Sequence, residues 1–205
     1  MTTSASESQH KHATKARADA MDHVRGLLDF IGEDPTREGL IETPRRVLAA
    51  MQDHFRGYHE DPASFLSKSF TEVEGYQELV LISDIELHSH CEHHMVPFVG
   101  KAHVAYIPGD RITGLSKLAR VVDVYSHRLQ IQEKLTAQIA NTINDCLKPK
   151  GVAVILQCQH FCMCYRGVKK PGAWTTTSKL HGQFLNDASS RSELFTLLGL
   201  KRDIG

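Results

Sequence analysis

The densest group of metal-capable side chains in this sequence is Cys91-Glu92-His93-His94. If these residues form one helical turn, Cys91 and His94 face the same way while His93 points elsewhere. A thiolate and an imidazole on one face are half of a zinc site, and a structural zinc would require a second close-spaced pair. Later in the chain, His160 and Cys162 occupy alternate positions of an extended segment, so both would project to the same side. Taking Cys91, His94 and Cys162 gives three protein ligands and leaves one coordination place for water. That is the pattern of a catalytic zinc, whose bound water ionises near about pH 7.

Basic residues supply a second half. Ser116, Lys117 and Arg120 fall on the opening turns of an expected helix, where backbone N–H groups and the helix dipole already favour an anion. Arg166, just beyond Cys162, and Arg46, beside Pro44, can add to it, and together they point to a phosphorylated substrate. Gln132-Glu133 pairs an amide with a carboxylate and so can read a base edge, although on a polar helix face both can equally be solvated. Three other readings compete. Cys158, Cys162 and Cys164 can be small buried hydrophobes and the histidines merely polar surface, or the same three ligands can hold a non-catalytic zinc at a subunit interface while the basic residues bind a partner. A zinc deaminase would match His90-Cys91-Glu92 as H-x-E, but it also needs P-C-x-x-C, and here the later motif is Phe161-Cys162-Met163-Cys164.

Composition narrows the setting. The 205 residues are 41% hydrophobic and 23% charged, enough to bury a core. Lys plus Arg (24) balances Asp plus Glu (24), so neither nucleic acid nor an anionic membrane is an expected partner and any polyanion site must be local. No apolar run reaches the roughly 20 residues that span a bilayer, and the His-, Lys- and Arg-bearing first residues do not read as a signal peptide, so a cytoplasmic location is expected. Five Cys, an odd number in a chain of this length, argues for metal or redox chemistry over a disulfide framework.

The elements that must position these groups follow from periodicity. Residues 1–14 are polar and aperiodic and read as a disordered tail; residues 15–60 read as a helical region, with Met21, Val24, Leu27, Leu28 and Ile31 ending at Gly32. Thr43-Pro44 starts a second helix, carried by Val47, Met51 and Phe55 to Gly57. The main domain, 61–205, opens with strands expected over Glu78–Leu87 and Phe98–Ile107, the second ended by Pro108-Gly109-Asp110. A short helical segment begins at Gly114, and Leu135, Ile139 and Ile143 mark a longer helix ending near Pro149. Alternation from Val152 through Cys158 and His160 to Cys164 predicts one long strand, and Ser190-x-x-Glu193 reads as the capping box of a last helix closed by Gly199. The result is an α+β domain with an antiparallel sheet and helices on one face.

Five motifs stand in register: Cys91-Glu92-His93-His94-Met95-Val96-Pro97-Phe98, His103-Val104-Ala105-Tyr106-Ile107-Pro108, Gly114-Leu115-Ser116-Lys117-Leu118-Ala119-Arg120, Gln132-Glu133-Lys134-Leu135-Thr136, and His160-Phe161-Cys162-Met163 with Arg166-Gly167-Val168. In this order and spacing the chain resembles the GTP cyclohydrolase I family from about residue 20 to residue 200. The resemblance implies the zinc-dependent hydrolysis of GTP at C8, release of formate and rearrangement to 7,8-dihydroneopterin triphosphate, at the start of tetrahydrofolate and pterin synthesis. It implies the tunnelling fold, with an N-terminal helical extension, assembled as a homodecamer with sites between subunits. It assigns Cys91, His94 and Cys162 as Zn2+ ligands, and His93, His160 and Ser116 as catalytic. Glu92, Lys117, Arg120, Arg166 and, from a neighbouring subunit, Arg46 become substrate contacts, and Gln132 with Glu133 the guanine-reading pair.

The sequence departs from the family pattern at a few positions. Ala49 stands where a Lys is frequent, Ala173 where a Ser is usual, and Gln157-Cys158-Gln159 precedes His160 where a small residue and an acid are commoner. None of these is an expected ligand or catalytic histidine, so they bear on affinity more than on turnover.

Overall fold

The computed structural model describes residues 3–71 and 74–199. The chain divides between His54 and Phe55 into two units, a little before the boundary expected at residue 60. The first unit holds α1 (Thr3–Phe30) and α2 (Thr43–His54). Helix α1 starts well inside the stretch expected to be a disordered tail, in a segment whose Ala, Glu, Gln and Lys are good helix formers. It ends where Gly32 takes φ +86°, with Gly32 N–H donating to Asp29 O and Glu33 N–H to Leu28 O, a left-handed cap that only glycine adopts without strain. Helix α2 begins at Thr43-Pro44 as expected but stops at His54, short of Gly57.

The second unit runs through a 3-10 turn (Arg56–His59), α3 (Pro62–Leu66), β1 (Ser69–Phe70), β2 (Val80–Cys91), β3 (Pro97–Ile107), β4 (Ile112–Thr113) and α4 (Leu115–Ser126). It continues with β5 (Leu129–Gln130), α5 (Gln132–Leu147), β6 (Gly151–His160), α6 (Phe161–Cys164), β7 (Thr175–Gly182), α7 (Gln183–Asn186) and α8 (Ala188–Leu198). Gly57 belongs to this unit: a Cβ there would lie 2.0 Å from Val124 O, so the turn can seat against α4 only without a side chain. The main sheet has strand order β5-β2-β3-β6-β7, antiparallel except for the short parallel pairing of β5 on β2.

The sheet packs one face under α4 and α5. Phe98, Ala102, Val104 and Tyr106 of β3 and Val152, Val154, Leu156 and Cys158 of β6 meet Leu118, Val121 and Val122 of α4 and Leu135, Ile139 and Ile143 of α5. Burying each Leu or Ile is worth about 1.5–3 kcal/mol, so the apolar stripe on α5 fixes that helix and with it Gln132 at its start. Strand β2 keeps its apolar residues on this face by a register shift between Ile82 and Ile85, with Asp84 at φ +59°. Val80 and Ile82 before the shift and Ile85 and Leu87 after it all reach the same core, which an unbroken alternation would forbid.

Two expectations change. Helices are not confined to one face: Phe184 of α7 and Leu194 of α8 cover Ala105, Ile107, Ala153 and Ile155 on the opposite side, at one end of the sheet. Helix α8 is capped not by Ser190 but by Asp187, whose carboxylate accepts from the N–H groups of Ser189 and Ser190, because an aspartate three residues upstream supplies the stronger acceptor. Gly199 does close this helix, at φ +55°.

Candidate active site

Cys91 ends β2, and the residues after it turn back into β3. The turn is one helical loop: Met95 N–H donates to Cys91 O (2.8 Å) and Cys91 N–H to Val96 O (3.0 Å), with Met95 at φ +53°. A single such turn brings Cys91 and His94 to one side, as the spacing requires. His93 does not point away as expected; its Nδ1 lies 3.7 Å from Cys91 Sγ, because a lone tight turn does not carry the residues around a full helical cylinder. Glu92 N–H donates to Gln130 O (2.9 Å), tying the turn to β5.

The second segment arrives differently from the sequence expectation. Strand β6 stops at His160, and Phe161–Cys164 wind into the short helix α6. Cys162 therefore leaves the alternation of the strand and is carried to the hairpin turn by helical geometry. The ligand atoms of Cys91, His94 and Cys162 all lie within 4.8 Å of one another, with Cys91 buried, Cys162 half-buried and His94 exposed. In a tetrahedral site with bonds of about 2.0–2.3 Å, ligand atoms stand somewhat under 4 Å apart, so two thiols and an imidazole at this spacing fit a zinc ion with small adjustments. One buried and two more open ligands leave a side from which a fourth group can enter.

His160 sits at the end of β6 beside this cluster. Its ring stacks on the fully buried Phe98 at 4.6 Å and an interplanar angle of 11°, and its Nε2 is 2.8 Å from Gln132 Oε1. Burial holds the His160 pKa below the usual histidine value, while the Glu133 carboxylate pulls it back up. The Cys162 thiol is pushed up by burial and then by its neighbour Cys91, with Arg166 acting in the opposite direction.

The remaining expected residues are distributed as follows. Ser116, Lys117 and Arg120 occupy the first turns of α4, whose N-cap is Gly114 and which has no side-chain cap, although Lys117 N–H donates back to Gly114 O (2.8 Å). Arg120 lies over the Phe65 ring at 5.5 Å, at the edge of a cleft of about 240 Å³ lined by Glu60, Phe65, Arg120, Asp123 and Val124. Arg166 is exposed just after α6, and Glu92 is exposed with its carboxylate 3.5 Å from Lys134 Nζ. Arg46 is exposed on α2 of the first unit. Glu133 is exposed at the start of α5, whereas Gln132 is only 1% exposed. The Gln132 amide has protein partners at both ends, with its oxygen toward His160.

Sequence reasoning gave no role to three residues that this geometry brings to His160 or to Gln132 beside it. Phe98 was expected as the start of a strand and, like Thr136, as the end of a motif, with no part in the site assigned to either. Thr136 and Thr177 hydrogen-bond to each other and to Gln132. Thr177 lies on β7, a polar Thr-rich strand that no apolar alternation announces.

A family model described as GTP cyclohydrolase I matches residues 20–199. The chain is 52% identical over 189 residues to GTP cyclohydrolase 1 of Brucella abortus (strain S19), covering 92% of this chain and 88% of that protein. It is 51% identical over 186 residues to GTP cyclohydrolase 1 of Brucella anthropi, covering 91% and 87%. Among solved structures, the archaeosine synthase QueF-Like in the apo form is similar over 51% of this chain and 93% of that one, at 18% identity and a TM-score of 0.43.

Proposed function

We propose, for a chain that belongs to the GTP cyclohydrolase I family and so opens GTP by hydrolysis, that Cys91, His94 and Cys162 hold a zinc ion and that His93 and His160 move the protons of the reaction. The observation that carries this reading is the meeting of three ligand atoms, from segments 71 positions apart in the chain, within 4.8 Å, with His160 packed alongside. Bound there, zinc supplies Lewis-acid polarisation and a water that ionises near about pH 7.

The chain's own side chains do the rest. His160, held by Phe98 and Gln132, passes a proton to and from the guanine imidazole, making C8 more electrophilic and the ring nitrogen a better leaving group. A histidine suits this because its ordinary pKa lies near neutrality. His93, on the exposed turn beside Cys91, moves protons as the ribose ring opens. Ser116 assists the Amadori-type rearrangement that precedes closure to 7,8-dihydroneopterin triphosphate, and C8 leaves as formate.

Binding is electrostatic at one end and directional at the other. The uncapped start of α4 with Lys117 and Arg120, together with Arg166, receives the triphosphate. Arg46 joins it across a subunit boundary in a homo-oligomer, a decamer on the family pattern. Glu133 accepts from the guanine edge, and Glu92 lies beside the bound substrate. The absence of any described helix long and apolar enough to cross a membrane is compatible with a cytoplasmic enzyme.

The test is to incubate the purified protein with GTP, with and without a strong chelator, and to measure formate and neopterin after oxidation and dephosphorylation. Equal yields of the two, abolished by chelation and restored by zinc, are expected. Turnover that survives complete removal of metal would sink the zinc assignment.

A further inference from the structure

The residue that contacts His160 is itself held by a set of buried and half-buried partners, and their chemistry fixes which end of its amide faces them. Gln132 Nε2 lies 3.1 Å from Leu156 O, 3.0 Å from Thr175 O and 3.0 Å from Thr177 Oγ1. Two of these are backbone carbonyls, which only accept. Turning the amide over would press its oxygen against both carbonyl oxygens, so the NH2 end must face them and Oε1 must face His160. An amide oxygen also only accepts, so the His160 nitrogen 2.8 Å away must carry a hydrogen.

The two threonines give the set a direction. Thr136 Oγ1 donates to Gln132 O one turn back in α5 (2.6 Å), which uses its only hydrogen. The 2.7 Å contact between Thr136 and Thr177 must then be a donation from Thr177. The Thr177 hydrogen is thereby committed, and its oxygen is left to share, with the two carbonyls, the two hydrogens of Gln132 Nε2. Thr136 and Gln132 are each 1% exposed, so water does not reach their side of these contacts, while Thr177 is half-buried. Phe98 fixes the plane of the His160 ring, and the amide fixes its rotation within that plane.

We infer that Thr177 and Thr136 are positioning residues for the reaction: acting through Gln132, they hold His160 in one rotation with Nε2–H turned to the amide oxygen, so that Nδ1 is the ring nitrogen left to face its substrate and to gain and lose the transferred proton. This rests on the catalytic reading of His160 given above. It moves Gln132 from reading the substrate to orienting the residue that acts on it, as an outer partner orients an inner one.

The experiment compares steady-state kinetics of the zinc-loaded protein and of Thr177→Val, Thr177→Ser, Gln132→Met and His160→Asn, with zinc content measured for each. Thr177→Val keeps the shape and removes the hydroxyl; kcat is expected to fall about fivefold to tenfold, the scale of one hydrogen bond, with KM for GTP and zinc content unchanged. Thr177→Ser restores kcat. Gln132→Met is expected to lose about 100-fold in kcat, the cost of a misplaced reacting group, again at constant KM. If Thr177→Val does not fold, Thr136→Val breaks the same chain from the helix side and is read on the same terms. Unchanged kcat in the valine variant, equal loss in the serine and valine variants, or a rise in KM with kcat retained in Gln132→Met would each overturn the inference. His160→Asn separates the two layers: full turnover there removes the catalytic reading itself, whereas its inactivity beside an unaffected Thr177→Val removes only the positioning inference.

Discussion

Cys158 near the end of β6 and Cys162 on α6 are separated by three residues and live in different chemistry. Cys158 is fully buried between β3, α5 and the rest of the sheet core, and burial alone pushes its thiol up to about 12. Such a thiol stays protonated, donates weakly and behaves as a small apolar side chain. Cys162 has left the strand; it is half-buried, close to Cys91 and His94, and under the influence of Arg166. What separates them is the end of β6 at His160. Up to that residue the chain is committed to a sheet whose alternate positions point into the core, and beyond it one turn of helix points the next cysteine at the hairpin. The same residue type is buried filler in the first region and one of three clustered metal-capable groups in the second.

The sharpest way to break this comparison is to remove each sulfur in turn. Cys162→Ser is expected to lower turnover by about 10³-fold or more, from the several kcal/mol a metal ion contributes to such a reaction, and to lower zinc content with it. Thermal unfolding should move little, since α6 contributes only Cys164 to the buried interior. A Cys162→Ser protein that turns over GTP normally with zinc still bound would place the metal elsewhere.

How much of this was legible in the sequence follows from how far each contact reaches. Cys91 and His94 are three apart in one turn, so their shared face could be read from spacing alone, and so could the core stripes of α5, β3 and β6. The convergence of Cys162 with Cys91 and His94 was expected for a partly mistaken reason: a continuous strand was expected where the structure has a strand followed by a helical turn. The environment of His160 was not legible, because Gln132, His160 and Thr177 come from three segments joined only by the folded sheet and α5. β7 itself escaped because Thr175, Thr176 and Thr177 show no apolar alternation, and the register shift in β2 escaped because Asp84 carries no local signal that it will take φ +59°. His93 lies against Cys91, whereas extrapolating a regular helix from a single turn sends it away.

The fold side of the comparison depends on how closely β3 lies against β6. Gly100 pairs with Cys158, and a Cβ there would fall 1.9 Å from Gln157 O and 2.7 Å from Cys158 Cα. Both are backbone atoms that cannot turn aside. Gly100→Ala is therefore expected to destabilise the protein by about 3 kcal/mol, read as a lowered urea midpoint at unchanged slope. A near-normal midpoint would mean that the two strands can part locally, and that Cys158 is less firmly enclosed than its burial implies. Cys158→Ala should cost about 1–2 kcal/mol, a small cavity in a packed core, while turnover per folded molecule stays the same. Loss of activity without loss of stability in that variant would erase the distinction between the two cysteines.

The smallest effect tests whether Cys158 is a dry thiol. Its folded pKa is raised by burial from 9.0 to about 12, so between those values the unfolded chain has released a proton that the folded chain keeps. The folded state then binds more protons than the unfolded one, and stability must fall as pH rises through this window; below pH 9 the two states hold the proton equally and the contribution is complete. By pH 9.5 the loss amounts to about 1 kcal/mol relative to neutral pH, and it should be absent in Cys158→Ala. Taking the difference between the two proteins cancels the titration of every other group that the substitution leaves undisturbed, Cys162 included. If the two stability curves instead run parallel from pH 7 to pH 9.5, the Cys158 thiol ionises in the folded protein as easily as in the unfolded one. The wall between the sheet core and the site at the end of β6 would then be open to water.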